Sequence, residues 1–290
     1  MPTVGFVGLG NMGSGMAANL VSHGFDVVVH DVRREPIDRL RGLGAREASS
    51  PAELGARSDV VFVAAFGAEQ VRSICLGEHG DDGLLAALSP GAIIVIHSTI
   101  STAVVRDVAA RAEKYQIDVV DAAMTGGGHL AAEGGRLTFF VGGRSEAIER
   151  VRPQLEAMAS QILPVGALGN GMLVKAISNF LSIGNTILVN EALQLAKGYD
   201  MDVTTVLSMV DHGRVGASWV SENWRDLQQQ ERTYTTEGGM ADMARKDLAL
   251  ARECAALPGV RLSTLDFLAD EVTSGLTRLL LGSNTPDGEL

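Results

Sequence analysis

Short apolar segments alternate with amphipathic segments along the first 165 residues. Each apolar segment is rich in valine, isoleucine or alanine, which is typical of strands buried on both faces of a parallel sheet. The predicted strands are Val4 to Val7, Asp26 to His30, Val60 to Ala64, Ala92 to His97, Val119 to Asp121, Leu137 to Val141 and Ile162 to Val165. The clearest helices between them are Met12 to Ser22, Pro36 to Leu43, Thr102 to Tyr115 and Glu146 to Met158. This alternation predicts a doubly wound α/β fold with a parallel sheet.

The pattern changes after residue 165, where helical periodicity replaces the alternation. The segment from Asn170 to Lys197 contains no proline and is followed by Gly198. It therefore predicts one helix, roughly 40 Å long at 1.5 Å per residue. Further helical patterns cover Val203 to Val210, Ser218 to Leu227, Ala241 to Ala256 and Leu262 to Leu280. We expect a sheet domain over residues 1–165 and an all-helical domain over residues 166–290, joined by the long helix.

A glycine-rich turn joins the first strand to the first helix. Gly8, Gly10 and Gly13 follow the G-x-G-x-x-G spacing, which allows a tight turn, a close approach of the backbone to a pyrophosphate, and close packing of the helix. Glycine turns also occur in ordinary strand-to-helix connections. Here, however, the second strand ends at Asp31, near the spacing of about 20 residues expected for the acid that holds the adenosine ribose. The combination predicts a Rossmann-type domain that binds a nicotinamide dinucleotide.

Three residues after the second strand bear on the choice of cofactor. Asp31 can accept hydrogen bonds from the ribose hydroxyls of NAD, whereas the 2′-phosphate of NADP would face it as a like charge. Arg33 and Arg34 follow, and either can pair with a 2′-phosphate, although both also suit the solvated start of a helix. Asp31 therefore favours NAD, and NADP stays the alternative.

The composition argues against several classes of function. The chain carries 24 Lys and Arg against 35 Asp and Glu, a net charge of −11, so nucleic acids and anionic membranes are not expected partners.

The most apolar segments, such as Ala92 to Ile96, have the length of strands, and the N-terminus has no basic region. Neither a membrane span nor a targeting segment is therefore expected. A cytoplasmic protein is expected for the same reason. Cys75 and Cys254 lie far apart and the histidines are scattered, so we expect no disulfide and no metal site.

A second motif lies near the start of the long helix. Lys175 and Asn179 are four residues apart, so both side chains lie on one helical face. A partly buried lysine can have its pKa lowered toward neutrality, which suits it to exchange a proton with an alcohol during hydride transfer. Taken alone, both residues are also typical of an exposed helix surface. Beside Lys175, Asn179 becomes a candidate to orient a substrate hydroxyl or the lysine itself.

Two further segments have a structural and a functional interpretation. Thr125, Gly126 and Gly127 follow a predicted strand and can form a small nest for a carboxylate, or simply a turn before a helix from Leu130 to Glu133. The run that begins with Lys246 has the spacing of a solvated, salt-bridged helix face. Spacing alone does not decide between these alternatives.

Four segments of the chain resemble the β-hydroxyacid dehydrogenases, the family of 3-hydroxyisobutyrate dehydrogenase and tartronate semialdehyde reductase. They are Gly8 to Leu20, Asp121 to Gly135, Gly169 to Asn179 and Lys246 to Ala251. Their order and mutual spacing match the family, and the resemblance extends over nearly the whole chain.

The resemblance implies a role for each segment. Lys175 would be the catalytic acid/base, Asn179 would help to fix the substrate, and the residues from Thr125 to Gly127 would hold its carboxylate. A helical C-terminal domain like that of 6-phosphogluconate dehydrogenase would form the interface of a homodimer or homotetramer. The cofactor-binding residues are Gly8, Leu9, Gly10, Asn11, Met12, Asp31, Ala65, Phe66, Thr99 and, at the nicotinamide end, Lys246.

Several positions depart from the family pattern. Thr125 stands where the family has serine, which keeps the hydroxyl and adds a methyl group, and Ala123 replaces the usual proline. Residues 64–66 replace Met-Leu-Pro, so this cofactor-facing loop can keep only its backbone contacts. Thr99 belongs to a matching serine–threonine pair, but His97 precedes that pair where an apolar residue is common. We expect His97 to be a hydrogen-bonding residue in a loop rather than a catalyst, since Lys175 already supplies the proton group.

These features predict an oxidoreductase that transfers hydride between NAD and a small 3-hydroxy acid, or the corresponding aldehyde acid in reverse. Two alternatives stay open: an imine reductase of the same fold, and a non-catalytic protein that senses NAD. Lys175 disfavours the first, because imine reductases generally have a different residue at its position, and its occurrence with Thr125 and Asn179 disfavours the second. Arg214 either contacts a second anionic group of the substrate or lies at the surface or in a subunit contact.

Overall fold

The computed structural model describes residues 2–77, 82–212, 239–256 and 262–269. The chain divides into two compact units, Met1–Lys175 and Ala176–Leu290. The division falls within one long helix, so the functional domains predicted for residues 1–165 and 166–290 stay predictions.

The first unit is built on one eight-stranded sheet in the order β3-β2-β1-β4-β5-β6-β7-β8. The strands are β1 (Val4–Val7), β2 (Val27–His30), β3 (Arg46–Glu47), β4 (Val60–Val63), β5 (Ile93–Ile96), β6 (Asp118–Thr125), β7 (Leu137–Gly142) and β8 (Ala159–Gly166). Each predicted strand corresponds to one of these. Only β3 has no predicted counterpart, because its two charged residues at the sheet edge carry no apolar pattern.

The sheet differs from the predicted parallel sheet at one pair of strands. β6 and β7 pair in antiparallel fashion, whereas the other neighbouring strands are parallel. Only residues 126–136 connect β6 to β7, and a parallel crossover usually needs a dozen residues or more. The short connection therefore returns the chain in the opposite direction.

Helices cover both faces of this sheet. They are α1 (Gly13–Ser22), α2 (Arg34–Gly42), α3 (Pro51–Ala56), α4 (Ala68–Leu76), α5 (Leu84–Ala87), α6 (Thr102–Ala112), α7 (Gly128–Glu133) and α8 (Ser145–Met158), with a 3₁₀ turn at Glu113–Tyr115. Successive strand residues point to opposite faces. Phe6 accordingly packs in the apolar cluster that contains residues of α1, α2 and α8, and its neighbour Val7 packs in the cluster of α3, α4 and α6.

The described part of the second unit is helical. The long helix α9 (Asn170–Lys197) has the bounds that the sequence predicts and is followed by α10 (Val203–His212), α11 (Gly239–Ala256) and a helix at residues 263–269. Their core includes Ala176, Ile187, Leu193, Val206, Ala244, Leu248, Leu265 and Leu268. The helix predicted at Ser218 to Leu227, the end of the one predicted at Leu262 to Leu280, and Arg214 lie outside the described residues.

The length and composition of α9 correct one expectation. This helix is long and apolar enough to cross a membrane by those two criteria, contrary to the prediction that no segment would be. The observation is weak by itself, because core helices of globular proteins pass the same test. Several apolar residues of α9, among them Ile187 and Leu193, are buried in the helical core. The absence of membrane binding stays a prediction.

Candidate active site

The sheet has a topological switch point between β1 and β4. The chain leaves β1 to form β2 on one side and returns to form β4 on the other. In open α/β sheets, ligands bind at the carboxyl ends of the strands beside such a point. Ala64, directly after β4, donates its N–H to the carbonyl of Val7 in β1 at 2.9 Å. The predicted cofactor segments after β1, β2, β4 and β5 therefore lie at one edge of the sheet.

The glycine turn after β1 lets helix α1 begin close to the strand. A Cβ atom on Gly13 would overlap the carbonyl oxygen of Gly8, so only glycine allows α1 to begin this close to the strand. No side chain among the described residues caps the start of α1, and its first turn contains no acidic residue. The backbone N–H groups of its first turn are therefore available to donate hydrogen bonds to an anion, as such groups do at dinucleotide sites. Leu9 in the turn is buried, whereas Asn11 is exposed.

Asp31 lies against the glycine turn. Its Oδ2 accepts the N–H of Leu9 at 2.6 Å, and its Oδ1 accepts the N–H of Arg33 at 2.8 Å and the Nε–H at 3.2 Å. Partial burial alone would raise the pKa of Asp31, but these hydrogen bonds and the guanidinium charge outweigh it and hold the pKa below its usual value. The lowered pKa favours an ionised carboxylate beside the glycine turn.

The two arginines after Asp31 behave differently. Arg33 also reaches the carbonyl of Leu9 through Nη2 at 3.1 Å, so it lies along the glycine turn. Arg34 pairs instead with Asp38 and Glu47, each at 2.6 Å. Of the two candidates for a 2′-phosphate contact, only Arg33 contacts the cofactor turn in this structure.

The loops after β4 and β5 complete this edge. Phe66 is 52% exposed and Ala65 is half-buried, while Thr99 is half-buried after the fully buried β5. His97, directly after β5, is buried between the rings of Phe62 and Phe139, with centroid distances of 5.5 and 4.9 Å. Its Nδ1 lies 2.6 Å from the carbonyl oxygen of Ala122, so Nδ1 carries the proton and donates it. His97 is therefore a hydrogen-bonding residue in the loop that follows β5, as predicted, and its side chain is buried there.

The predicted carboxylate nest begins within a strand. Thr125 is the last residue of β6, which continues four residues beyond its predicted end at Asp121. Gly126, Gly127 and Gly128 follow with φ values of 117°, 105° and 69°, a region that favours glycine. The three glycines therefore expose backbone with no side chains, and the last of them, Gly128, is the first residue of α7.

The two parts of the predicted catalytic motif lie one helical turn apart on α9. Lys175 and Asn179 are both half-buried. The Nδ2–H of Asn179 donates to Oδ2 of Asp247 at 2.5 Å, and Asp247 is almost fully buried in α11. The ammonium of Lys246 lies 3.1 Å from Oδ1 of the same carboxylate, as an ion pair without hydrogen-bond geometry. The structure thus brings Asn179 and Lys246 together through Asp247.

Two buried carboxylates at the predicted motifs were not predicted as functional residues. Asp247 holds the amide of Asn179, and Asp121 accepts backbone N–H groups from Gly169 and Met172 at the start of α9. Asp247 lies beside Lys246 in the sequence, but a helix pattern alone does not distinguish it from a surface acid. The signal for Asp121 is an acid inside an apolar strand, which is rarely left without partners.

Among the described residues, no group of three or more His, Cys, Asp or Glu side chains is arranged to hold a metal ion. Cys75 is a buried free thiol. Burial raises the pKa of the Cys75 thiol to about 12, so it stays protonated and unreactive at neutral pH.

Two family models match consecutive parts of the chain. Residues 3–166 match the NAD-binding domain of 6-phosphogluconate dehydrogenase, and residues 169–280 match the NAD-binding domain of NADP-dependent 3-hydroxyisobutyrate dehydrogenase. The first match covers the sheet and the glycine turn that the geometry fits to a dinucleotide. Both models describe NAD(P)-binding enzymes, and NAD(P) is the cofactor of this protein.

Relatives from several organisms match most of the chain. A probable mitochondrial 3-hydroxyisobutyrate dehydrogenase of Dictyostelium discoideum is 33% identical over 87% of this chain and 79% of its own. An NAD-dependent L-serine dehydrogenase of Pseudomonas aeruginosa is 34% identical over 88% of this chain and 86% of its own. Among solved structures, 3-hydroxyisobutyrate dehydrogenase of Mycobacterium tuberculosis with L-serine superimposes with a TM-score of 0.82 at 26% identity, covering 97% of this chain and 98% of that one.

Imine reductases share the fold at lower identity. The enzyme from Myxococcus stipitatus has a TM-score of 0.68 and 17% identity over 94% of this chain and 93% of its own, which shows the fold alone. Hydroxyacid dehydrogenases match at higher identity and through both family models. The chain therefore belongs to the β-hydroxyacid dehydrogenase family and is an NAD(P)-dependent oxidoreductase of hydroxy acids.

Proposed function

We propose that this enzyme oxidises a compact 3-hydroxy acid with NAD, or reduces the corresponding aldehyde acid. The observation that carries the proposal is the pairing of a half-buried lysine and an asparagine on one face of α9, with the asparagine amide fixed by a buried carboxylate. Hydroxy acids of this size are also named for the relatives, which are called 3-hydroxyisobutyrate and L-serine dehydrogenases. Whether oxidation or reduction is the physiological direction depends on substrate supply.

The proton group of the reaction is Lys175. Its amine takes the proton of the substrate hydroxyl during oxidation and returns it during reduction, as a positioned general base and acid. Bound nicotinamide supplies the electronic part of the chemistry by accepting or giving hydride. Because Asp247 engages the Nδ2 atom of Asn179, the amide presents Oδ1 at its other end, where it can accept a hydrogen bond from the substrate hydroxyl or from Lys175.

The carboxylate of the substrate binds the loop after β6. The Thr125 hydroxyl and the N–H groups of Gly126 and Gly127 provide donors without side chains that would crowd a small acid. Lys246 belongs to the nicotinamide end of the site, where the family resemblance puts it. A contact from Arg214 to a second anionic group stays a prediction.

The enzyme is expected to prefer NAD over NADP, and Asp31→Ala is expected to lower that preference about tenfold. The variant loses a charge-assisted acceptor for the ribose, which contributes roughly 1.5–3 kcal/mol, and also a like charge near a 2′-phosphate. Binding titrations with both cofactors measure the ratio. Glu149→Ala, which removes an exposed carboxylate from α8, is the control. Tighter binding of NADP by the wild type would mean that Arg33 dominates over Asp31.

The role of Thr125 and the glycine loop predicts strict selection for a free carboxylate. Methyl esters of substrate acids are expected to have a kcat/KM at least about 100-fold lower than the free acids. A neutral ester does not replace the charged carboxylate that accepts hydrogen bonds from several donors of the loop. Thr125→Ala is expected to lower kcat/KM for acids about tenfold and to leave turnover of esters unchanged. Thr3→Ala, at the amino-terminal edge of the sheet, is the control. Equal turnover of acid and ester would contradict the carboxylate site.

We further propose a cytoplasmic homodimer or homotetramer that assembles through the helical region. The support is an exposed apolar stripe on α9, formed by Ile177, Leu181, Leu188 and Leu195. Their spacing of four and seven residues puts them on one face of the helix. Light scattering of the purified protein measures the number of subunits.

A screen of small hydroxy acids with NAD, followed by the absorbance of the reduced cofactor, identifies the substrate. The set contains 2- and 3-hydroxy acids, serine and matched dicarboxylates. Cyclic imines with reduced cofactor test the imine reductase alternative in the same assay. Turnover of imines without turnover of any hydroxy acid would overturn the proposal, and so would binding of NAD without turnover of either class.

A further inference from the structure

Asp121 is a fully buried carboxylate in β6 that is enclosed by backbone amides. None of its surface is exposed. Oδ1 accepts the N–H of Gly169 at 2.7 Å, and Oδ2 accepts the N–H of Met172 at 2.9 Å. A buried carboxylate destabilises a fold unless it is paired or hydrogen-bonded. These two bonds are therefore important contacts of the first unit.

The donors of these bonds belong to the beginning of α9. The first N–H groups of a helix have no partner within the helix, and a negative charge is stabilised at this end by the helix dipole. Burial raises the pKa of Asp121, while hydrogen bonds from Gly169, Met172 and Gly171 act in the opposite direction and favour the ionised form. Asp121 is thus a buried cap that comes from the sheet rather than from the helix's own sequence.

The space around the carboxylate depends on two glycines. A Cβ atom on Gly142 would lie 2.5 Å from Oδ1, and one on Gly171 would lie 2.7 Å from Oδ2. Both distances are shorter than any ordinary contact. The neighbouring strand β7 and the first turn of α9 therefore leave room for this carboxylate only because neither has a side chain there.

This contact lies between the two predicted parts of the active site. Thr125 follows Asp121 by four residues in the same strand, and Lys175 follows Met172 by three residues in the same helix, on the same helical face. A helix moves as a rigid element, so a shift of its first turn also shifts Lys175. We propose that Asp121 is a positioning residue of the reaction: by holding the first turn of α9 it fixes the amine of Lys175 relative to the substrate-binding end of β6.

The proposal rests on the proton-transfer role of Lys175, and a double-mutant cycle tests it. Asp121→Asn keeps the shape of the side chain but replaces one acceptor oxygen with an NH₂ group. We expect it to lower kcat about 10–100-fold, because misplacement by about 1 Å costs this much, and to leave the Kd of NAD unchanged. In the Lys175→Ala background the same substitution is expected to change kcat less than about twofold, since its target is already absent.

Rates are expressed per NAD-binding site, so partial unfolding does not count as lost catalysis. Ser50→Ala removes the cap of α3, a helix of the same unit outside the predicted site, and its kcat is expected to match the wild type. Equal losses from Asp121→Asn in both backgrounds would show a general structural role and overturn the proposal. A wild-type kcat in Asp121→Asn would overturn it as well.

A second variant keeps the carboxylate and disturbs its contact. A Cβ atom on Gly171 would overlap the carbonyl oxygen of Phe140 in β7 and lie 2.7 Å from Oδ2 of Asp121, so Gly171→Ala forces the first turn of α9 away from both. The variant is expected to show the same dependence on Lys175. If Asp121→Asn does not fold, this variant decides, and an unchanged kcat in it contradicts the proposal. Failure of the proposed function has a different signature, because Lys175→Ala alone would then keep the wild-type kcat.

Discussion

Lys175→Ala is expected to fold, to bind NAD with unchanged affinity, and to lose roughly 10²–10⁴ in kcat, the usual contribution of a positioned acid or base. The loss follows from chemistry, because the alcohol proton has no acceptor while hydride leaves. Steady-state rates at saturating substrate measure the loss of kcat. An isotope effect with deuterated substrate shows whether hydride transfer limits the rate.

Lys197→Ala is the matched control for this prediction. Lys197 is the last residue of the same helix and is exposed, so its removal is expected to leave kcat unchanged. A Lys175→Ala enzyme that keeps more than about a tenth of the wild-type kcat, with chemistry limiting, would remove the lysine from the mechanism. Lost NAD binding in the variant would instead indicate a structural role.

Much of the fold is predictable from the apolar pattern, because strands buried on both faces are short and β-branched. β1 illustrates this, since all four of its residues are buried and its predicted bounds are those observed. β8 does not fit that pattern as well, because it is an edge strand and five of its eight residues are exposed. The antiparallel direction of β7 depends on the length of the connection before it, which strand patterns do not report.

Residues of the candidate site are predictable where they belong to a local sequence motif. They are not predictable where they depend on contacts between residues that are distant in the sequence. The glycine turn and Asp31 are read from local spacing. The contact from Asp31 to the N–H of Leu9 joins residues 22 positions apart, and the contact from Asp121 to Met172 joins residues 51 apart. Such contacts follow from sheet order, which the sequence pattern does not specify. For this reason Asp121 and Asp247 emerge only from the structure.

The burial of His97 predicts that the protein loses stability in mild acid. Burial lowers the pKa of His97 from 6.5 to about 4, although the hydrogen bond to Ala122 acts in the opposite direction. The unfolded chain therefore takes up a proton near pH 6.5, whereas the folded chain resists until about pH 4. Between these values the unfolded state binds more protons, so the free energy of unfolding falls as the pH falls. At pH 5 the expected loss is about 2 kcal/mol relative to pH 7.5.

Urea unfolding of the wild type and His97→Phe at pH 7.5 and pH 5 isolates this contribution. The phenylalanine keeps an aromatic ring between Phe62 and Phe139 but leaves the Ala122 carbonyl without its donor, a loss that does not depend on pH. Carboxylates such as Asp31, whose pKa is lowered in the fold, destabilise both proteins in acid and cancel in the comparison. The wild type is expected to lose about 2 kcal/mol more than the variant between the two pH values. Parallel losses in the two proteins would mean that folded His97 is protonated at pH 5, which a ring enclosed by two phenylalanines and the sheet should not allow.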